Sequence, residues 1–514
     1  FFAAFVHDDF KINRNLTLNL GLRWEYETGV YDAEDRFSRA LDLTSPIPEF
    51  QSKAPAIPAD IAALRGQPYS WTGAWNFTGG GNPRSSFDFP KKVLMPRVGL
   101  AYRLGDRMSI RAGYARYVIP AVFATDTLGS GSYPGFNAIT TVAPVLQGVP
   151  QARLSDPFPA SNPLIPPVGR TLGRYTNLGQ ASAWQQQDFS PGVNDRFNLS
   201  LQRQMPGLIH LDLTYFFNFG RNLPYNRQFN LVDPNIVYTQ KAALDQTVPN
   251  PFFQILPADK FPGQLRNQAR VTRRSLLSTY PQYGALTQNN TSGFKNRYHA
   301  IQMKAQRNFN NGLFFLVAYN FNREQNSYFF NDITEFAQQI EWLDQSFPRH
   351  RVSAAGSYEL PFGKGRKWLA GTHAVTNAVL GGWAASWLLF YNSGNYLRFP
   401  AQVTPNGTPA AIRERGRWFD TTGFDRQPAF TPRTNPWQYN DLAGPRNWNF
   451  DATLSKFFQL NDRFKLELRM EAYNLTNSFV PNDPATNFTA ATFGRTTNQI
   501  NRGREFQYTA RIHF

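Results

Sequence analysis

Residues 16–27 read LTLNLGLRWEYE, and how this alternation is oriented decides the fold. Leu16, Leu18, Leu20, Leu22, Trp24 and Tyr26 fall on one side of an extended chain. Thr17, Asn19, Gly21, Arg23, Glu25 and Glu27 fall on the other. A period of two is that of a β-strand. A soluble sandwich buries its apolar side, whereas a membrane barrel turns that side to lipid and keeps the polar one within.

The same alternation recurs at 3–12, 96–105, 108–117, 196–204, 208–218, 298–309, 313–322, 351–360, 381–394, 448–458, 463–474 and 504–514, which makes about thirteen strands. Short links at 13–15, 105–107, 205–207, 310–312 and 460–463 take turns with long ones rich in Pro, Gly and Asn at 28–92, 120–195, 219–296, 323–350, 395–446 and 475–503. Only 361–380 is longer than its short peers. Up-and-down outer-membrane barrels have tight periplasmic turns and long external loops. Sandwiches and propellers have no reason to put every long loop at one end. The pattern predicts an all-β fold, a transmembrane antiparallel up-and-down barrel.

Charge placement supports this orientation. Arg23, Glu25, Arg97, Arg103, Arg111, Lys465, Glu467, Arg469, Glu471 and Arg511 occupy the polar sides of their strands. A wet lumen accepts them cheaply, while a dry core would need a partner for each. They are therefore the candidate lumen-facing residues, and Leu16, Leu18, Leu20, Leu22, Leu466 and Leu468 are the candidate lipid-facing ones. Trp24 and Tyr26, late in their strand, are expected in the outer aromatic girdle. Phe506, Tyr508, Ile512 and Phe514 form the outward face of the last strand.

The composition is consistent with these readings and excludes others. Aromatic residues make up 15% of the 514 and charged residues 17%, and the mean hydropathy is −0.45. No run of about 18 apolar residues exists, so no transmembrane helix is expected. Alternating strands average out of such a count. The net charge of +17 is spread over scattered residues, mostly Arg, without a dense run, which argues against nucleic acid as a partner. The absence of cysteine excludes disulfides and thiol chemistry. His7, His210, His299, His350, His373 and His513 lie far apart and make no HExxH spacing. GSYELPFGKGR (356–366) lacks the spacing of a phosphate-binding loop and reads as a turn. Glu467 and Glu471 alternate with Lys465 and Arg469, which describes a charge-balanced surface rather than an acid–base pair. No catalytic residue, metal ligand or cofactor site is expected.

An ordered series of segments carries further information: FVHDDFKINRNLTLNLGLRWE (5–25), RFNLSLQRQMPG (196–207), GRNLPYNRQFN (220–230), VPNPFFQILP (248–257), LLSTYPQYGALT (276–287), YELPFGKGRKW (358–368), WFDTTGF (418–424), LAGPRNWNFDATLSKFF (442–458), RMEAYNLTNSF (469–479) and FQYTARIHF (506–514). Together they resemble the C-terminal barrel of TonB-dependent outer-membrane receptors, in particular the Oar-like group that carries a carboxypeptidase-regulatory-like domain. The resemblance implies a barrel of about 22 strands around an N-terminal plug. It implies uptake of an external ligand across the outer membrane of a Gram-negative bacterium, energised by the inner-membrane TonB complex. Residues 1–514 would then be the C-terminal part of the barrel, with the plug, the N-terminal domains and roughly nine strands outside this sequence. The strand-like opening FFAAFVHDDFKI, with neither a starting Met nor a signal peptide, fits a piece of a longer chain. The terminal Phe514 resembles the assembly signal read by the barrel-assembly machinery, although Thr509 stands where a Gly is usual. Implied partners are outer-membrane lipid, that machinery, the TonB complex through the absent plug, and an unidentified ligand. The ligand would first meet the Arg- and aromatic-bearing loops 120–195 and 219–296. The alternative function is surface adhesion or structure, with the barrel as anchor.

Overall fold

The structure is a computed structural model and describes residues 1–120, 133–142, 145–146, 149–150, 153–188, 190–329, 339–401, 403–405 and 409–514. Thirteen strands form one antiparallel sheet in chain order. They are β1 (Phe2–Lys11), β2 (Leu16–Tyr26), β3 (Val93–Arg103), β4 (Met108–Val118), β5 (Val193–Met205), β6 (Ile209–Gln228) and β7 (Leu286–Asn310), then β8 (Leu313–Phe329), β9 (His350–Glu359), β10 (Trp383–Asn392), β11 (Asn447–Gln459), β12 (Lys465–Tyr473) and β13 (Glu505–His513). Gln339–Asp344 adds alongside β8, and Ser182–Gln185 pairs parallel to β7. β1 and β13 end the strand order, and the sheet is not closed into a barrel among the described residues.

The short turns follow from their residues. Asn13 Oδ1 accepts from the Asn15 and Leu16 amides at 2.8 and 3.0 Å, and Asn461 does the same for Arg463 and Phe464. Each side chain thus mimics a backbone turn. Asn311 and Gly312 both have positive φ, 50° and 80°, as a two-residue hairpin turn between right-twisted strands requires. The longer link 361–380 contains a helix, Ala374–Leu380, and Asn377 Oδ1 ties it back to the Lys364 amide. Gly356 serves a packing role, since a Cβ there would strike the ring of Trp387, which lies across it on the neighbouring strand.

All thirteen predicted strands are present, but three run well past the predicted ends. β6, β7 and β8 continue to Gln228, back to Leu286 and on to Phe329. Crossing a membrane needs about 9–11 tilted residues, so 25-residue β7 must project far beyond one. The added segments, such as GRNLPYNRQ, are rich in Asn, Gln and Arg and carry no sustained apolar alternation. Ladder hydrogen bonds to their neighbours hold them, with register shifts after Gly220, Leu223 and Tyr225.

Described parts of the long loops pack into hydrophobic cores. Residues from 28–92, 153–188 and 229–286 enclose a hydrophobic core in which the Phe50 ring, 1% exposed, meets Trp71 at 5.8 Å and both Phe252 and Phe261 at 6.1 Å. A second core gathers Phe399, Phe419, Phe424 and Tyr439, with Phe488 and Phe493 contributed by the next loop. Truncating Phe50 to Ala is expected to cost the first core about 3–5 kcal/mol. Limited proteolysis of intact cells should then cut these loops in the variant while its membrane assembly stays unchanged.

Candidate functional site

The pairing register sorts the candidate residues onto two faces. Gly21 lies opposite Arg97, and Ala101 opposite Arg111, so Arg23, Glu25, Arg97, Arg103 and Arg111 share one side of the sheet. From Arg111 the row passes through Ser200, Thr214, Gln302, Asn320, Arg351, Asn392 and Asn447. Further along β11 and β12 the same side carries Lys465, Glu467, Arg469 and Glu471, with Arg511 opposite Glu467.

The opposite face carries Leu16, Leu18, Leu20 and Leu22, and a row from Leu16 runs through Tyr102, Ile110, Leu201, Leu213, Met303, Tyr319, Val352, Tyr391 and Trp448. Leu466 and Leu468 lie on this side, opposite Ile512 and Ala510, as do Phe506 and Tyr508. Phe514 follows the last paired residue and is exposed. Trp24 and Tyr26 share the face, where Trp24 Nε1 donates to the Lys91 carbonyl at 2.7 Å. Leu20, Leu22, Leu199, Leu213, Met303 and Leu468 are each between 42% and 54% exposed. A continuous exposed apolar surface of this extent is foreign to a soluble monomer. Several residues break the pattern: Asp8 and Lys456 fall on the leucine side, and Phe5, Phe216, Phe314, Leu316, Leu388, Phe390 and Phe457 on the polar side.

The polar face is cross-linked by charge. Arg23 Nε meets Glu25 Oε1 at 2.5 Å, and Glu467 accepts from Arg469 at 3.0 Å and lies 2.9 Å from His513 Nε2. Arg469 also reaches Glu471 at 3.6 Å. Lys465 Nζ sits 4.0 Å from the Phe457 ring centroid. Toward the short-turn end a cavity of about 630 Å³ gathers Arg103 and Arg111 with Arg14, Lys304, His210 and Asp212. Its cationic excess suits an anionic group. No cluster of three His, Asp or Glu residues able to hold a metal occurs among the described residues, and no helix among them is long and apolar enough to cross a membrane.

At the long-loop end, Glu49 anchors the first core. Burial pushes its carboxyl up, but Lys260 Nζ at 2.8 Å and the Tyr175 hydroxyl at 2.7 Å outweigh this and hold it below its usual value. A carboxylate depressed in the folded state adds stability above its unfolded value of about 4.3 and loses it as pH falls through the folded value. Loop protection from protease should therefore drop below about pH 4 in the wild type. In Glu49→Gln it should be lower at neutral pH and flatter in that window, and equal acid sensitivity of the two proteins would remove Glu49 from the explanation.

Sequence reasoning missed both loop cores and a row of arginines on the leucine face. Arg116, Arg221, Arg297 and Arg323 sit on the leucine face at its long-loop margin. The signal for them is that the alternating apolar run on each of these strands stops at an arginine of the same parity.

Thirteen antiparallel strands in chain order, with one charged face and one apolar, exposed face, are the architecture of a bacterial outer-membrane barrel. Residues 1–507 match the family described as outer membrane beta barrel domain, and the chain belongs to it. No curated protein matches the chain. Among solved structures it is similar to the outer membrane transporter YddB from Escherichia coli, with 9% identity over 99% of this chain and 44% of that one and a TM-score of 0.43. It is also similar to the siderophore receptor PirA from Acinetobacter baumannii, with 10% identity over 99% and 45% and a TM-score of 0.40. The pyoverdine receptor FpvA from Pseudomonas aeruginosa aligns at 10% identity over 100% and 42%, with a TM-score of 0.38. The chain spans less than half the length of these three proteins.

Proposed function

We propose that residues 1–514 form the C-terminal part of the barrel of a TonB-dependent receptor of the Oar-like group, which imports an external ligand across the outer membrane. The charged face lines the lumen and the leucine face meets lipid. The terminal aromatic strand is read by the barrel-assembly machinery, and energy arrives through a plug outside this chain. The observation that carries this reading is the largely polar, charged face with its cationic cavity, since a mere anchor needs no wet charged interior. The ordered resemblance of the sequence segments supports it.

The experiment is deletion of the gene, with depletion of medium solutes followed in wild-type and deleted strains. Import predicts a solute whose energy-dependent removal is lost on deletion, restored by the full-length gene, and abolished by a protonophore. Unchanged uptake with lost cell–surface contact would instead establish the adhesion reading. That second reading draws on the two hydrophobic cores folded within the long loops.

A further inference from the structure

The leucine face carries a built cationic pocket at its long-loop margin. Arg116 follows Tyr114 on β4, Arg221 follows Phe219 on β6, Arg297 precedes His299 on β7, and Arg323 follows Phe321 on β8, each on the apolar side. Pairing sets Arg116, Asp195, Phe219 and Arg297 in one cross-strand row. Asp195 accepts from Arg116 Nε at 2.8 Å and meets Arg221 at 3.0 Å, so one carboxylate orients two guanidinium groups. The Arg297 guanidinium lies 4.2 Å from the Trp342 ring centroid, and its Nε donates to Gln325 Oε1 at 2.6 Å. Arg323 pairs with Asp344 at 2.8 Å. Arg349 also reaches Asp344 at 3.2 Å, so with Arg297 five guanidinium groups stand against two carboxylates, and a cavity of about 610 Å³ opens between Arg116, Arg221, Arg297 and the rings of Phe217, Phe219 and Trp342.

Resting on the reading of this face as lipid-facing, we propose that the cavity binds the phosphate groups of an outer-leaflet lipid, whose acyl chains lie along Leu213, Tyr215, Ile301 and Met303. Arginine at the hydrocarbon midplane is costly, but at the interface the cost falls nearly to zero. Their planar forks match phosphate oxygens bidentately. Partial neutralisation by Asp195 and Asp344 spaces the guanidinium groups without cancelling them. The aromatic floor carries the transition from headgroup to acyl chain, as rings do at membrane interfaces. The long-loop side is the outer leaflet in any barrel with short periplasmic turns.

The test uses full-length protein purified in detergent, with bisphosphorylated lipid A as the bound species and native mass spectrometry as the readout. Wild type should retain it at least about tenfold better than fully dephosphorylated lipid A, and R221Q/R297Q should weaken retention roughly tenfold per arginine. Inorganic phosphate should not displace it. Equal retention of the dephosphorylated form, undiminished retention by the variant, or displacement by inorganic phosphate overturns the proposal, the last by marking a free-phosphate site. Should the double variant fail to assemble, W342A keeps every charge and removes the ring beside Arg297, and a several-fold loss is expected from it. A bimane label at Leu213→Cys, read with brominated acyl chains, separates the two layers of the argument. An unquenched label overturns the lipid-facing reading itself, and a quenched one without phosphate selectivity overturns only the site.

Discussion

Leu20→Arg combined with Leu468→Arg is expected to abolish outer-membrane assembly of the full-length protein, while Gln302→Arg leaves it intact. Leu20 pairs with Val98 near one edge of the sheet and Leu468 with Ala510 near the other, and both side chains stand exposed on the apolar face. An arginine on a lipid-facing strand position costs about 2–4 kcal/mol at the midplane. Two such losses at separated sites add, and together they rival the total of about 5–15 kcal/mol that keeps a typical protein folded. Gln302 lies between Thr214 and Asn320 on the charged face, where a further cation stays hydrated. Heat-modifiable migration and membrane fractionation read the outcome. Normal assembly of the leucine variant with failure of Gln302→Arg would mean that the faces are reversed.

The sequence made the strands legible because their signal is local. A barrel strand has one face toward water and one toward hydrocarbon, which imposes a period of two on its sequence, and Leu16 to Tyr26 carry that period. The extensions of β6, β7 and β8 were not legible, because pairs such as Arg227 with Gln288 are held by ladder hydrogen bonds with no apolar face to mark them. The loop cores escaped for a different reason. Phe50, Phe252 and Phe261 are more than 200 residues apart at the extremes, and nothing in Pro-rich local sequence announces that they share one core. Asp8 on the leucine face and Leu388 on the charged face mark the limit of alternation as a rule. The arginines of the leucine face were visible in principle, but only register shows that Arg116 and Arg297 belong to one row with Asp195 between them.

Residues 1–514 produced alone and refolded into lipid vesicles are expected to give no defined unitary conductance and no heat-modifiable band. β1 and β13 end the sheet, and the ten residues of β1 are exposed along their whole length. Along such an edge roughly every second residue points its N–H and C=O outward, which leaves roughly five of each unpaired on β1. In hydrocarbon each unsatisfied group costs several kcal/mol, so two open edges outweigh the net stability of about 5–15 kcal/mol that an ordinary fold retains. Closing the sheet upon itself is no simple escape. Thirteen strands in up-and-down order put β1 and β13 parallel, whereas bacterial single-chain barrels close antiparallel with an even number. Neighbouring strands from elsewhere in the protein would satisfy both edges, and the full-length protein is expected to show the heat-modifiable band that the isolated chain lacks. A stable, reproducible conductance from residues 1–514 alone would mean that these edges find each other, and would remove the argument for further barrel strands.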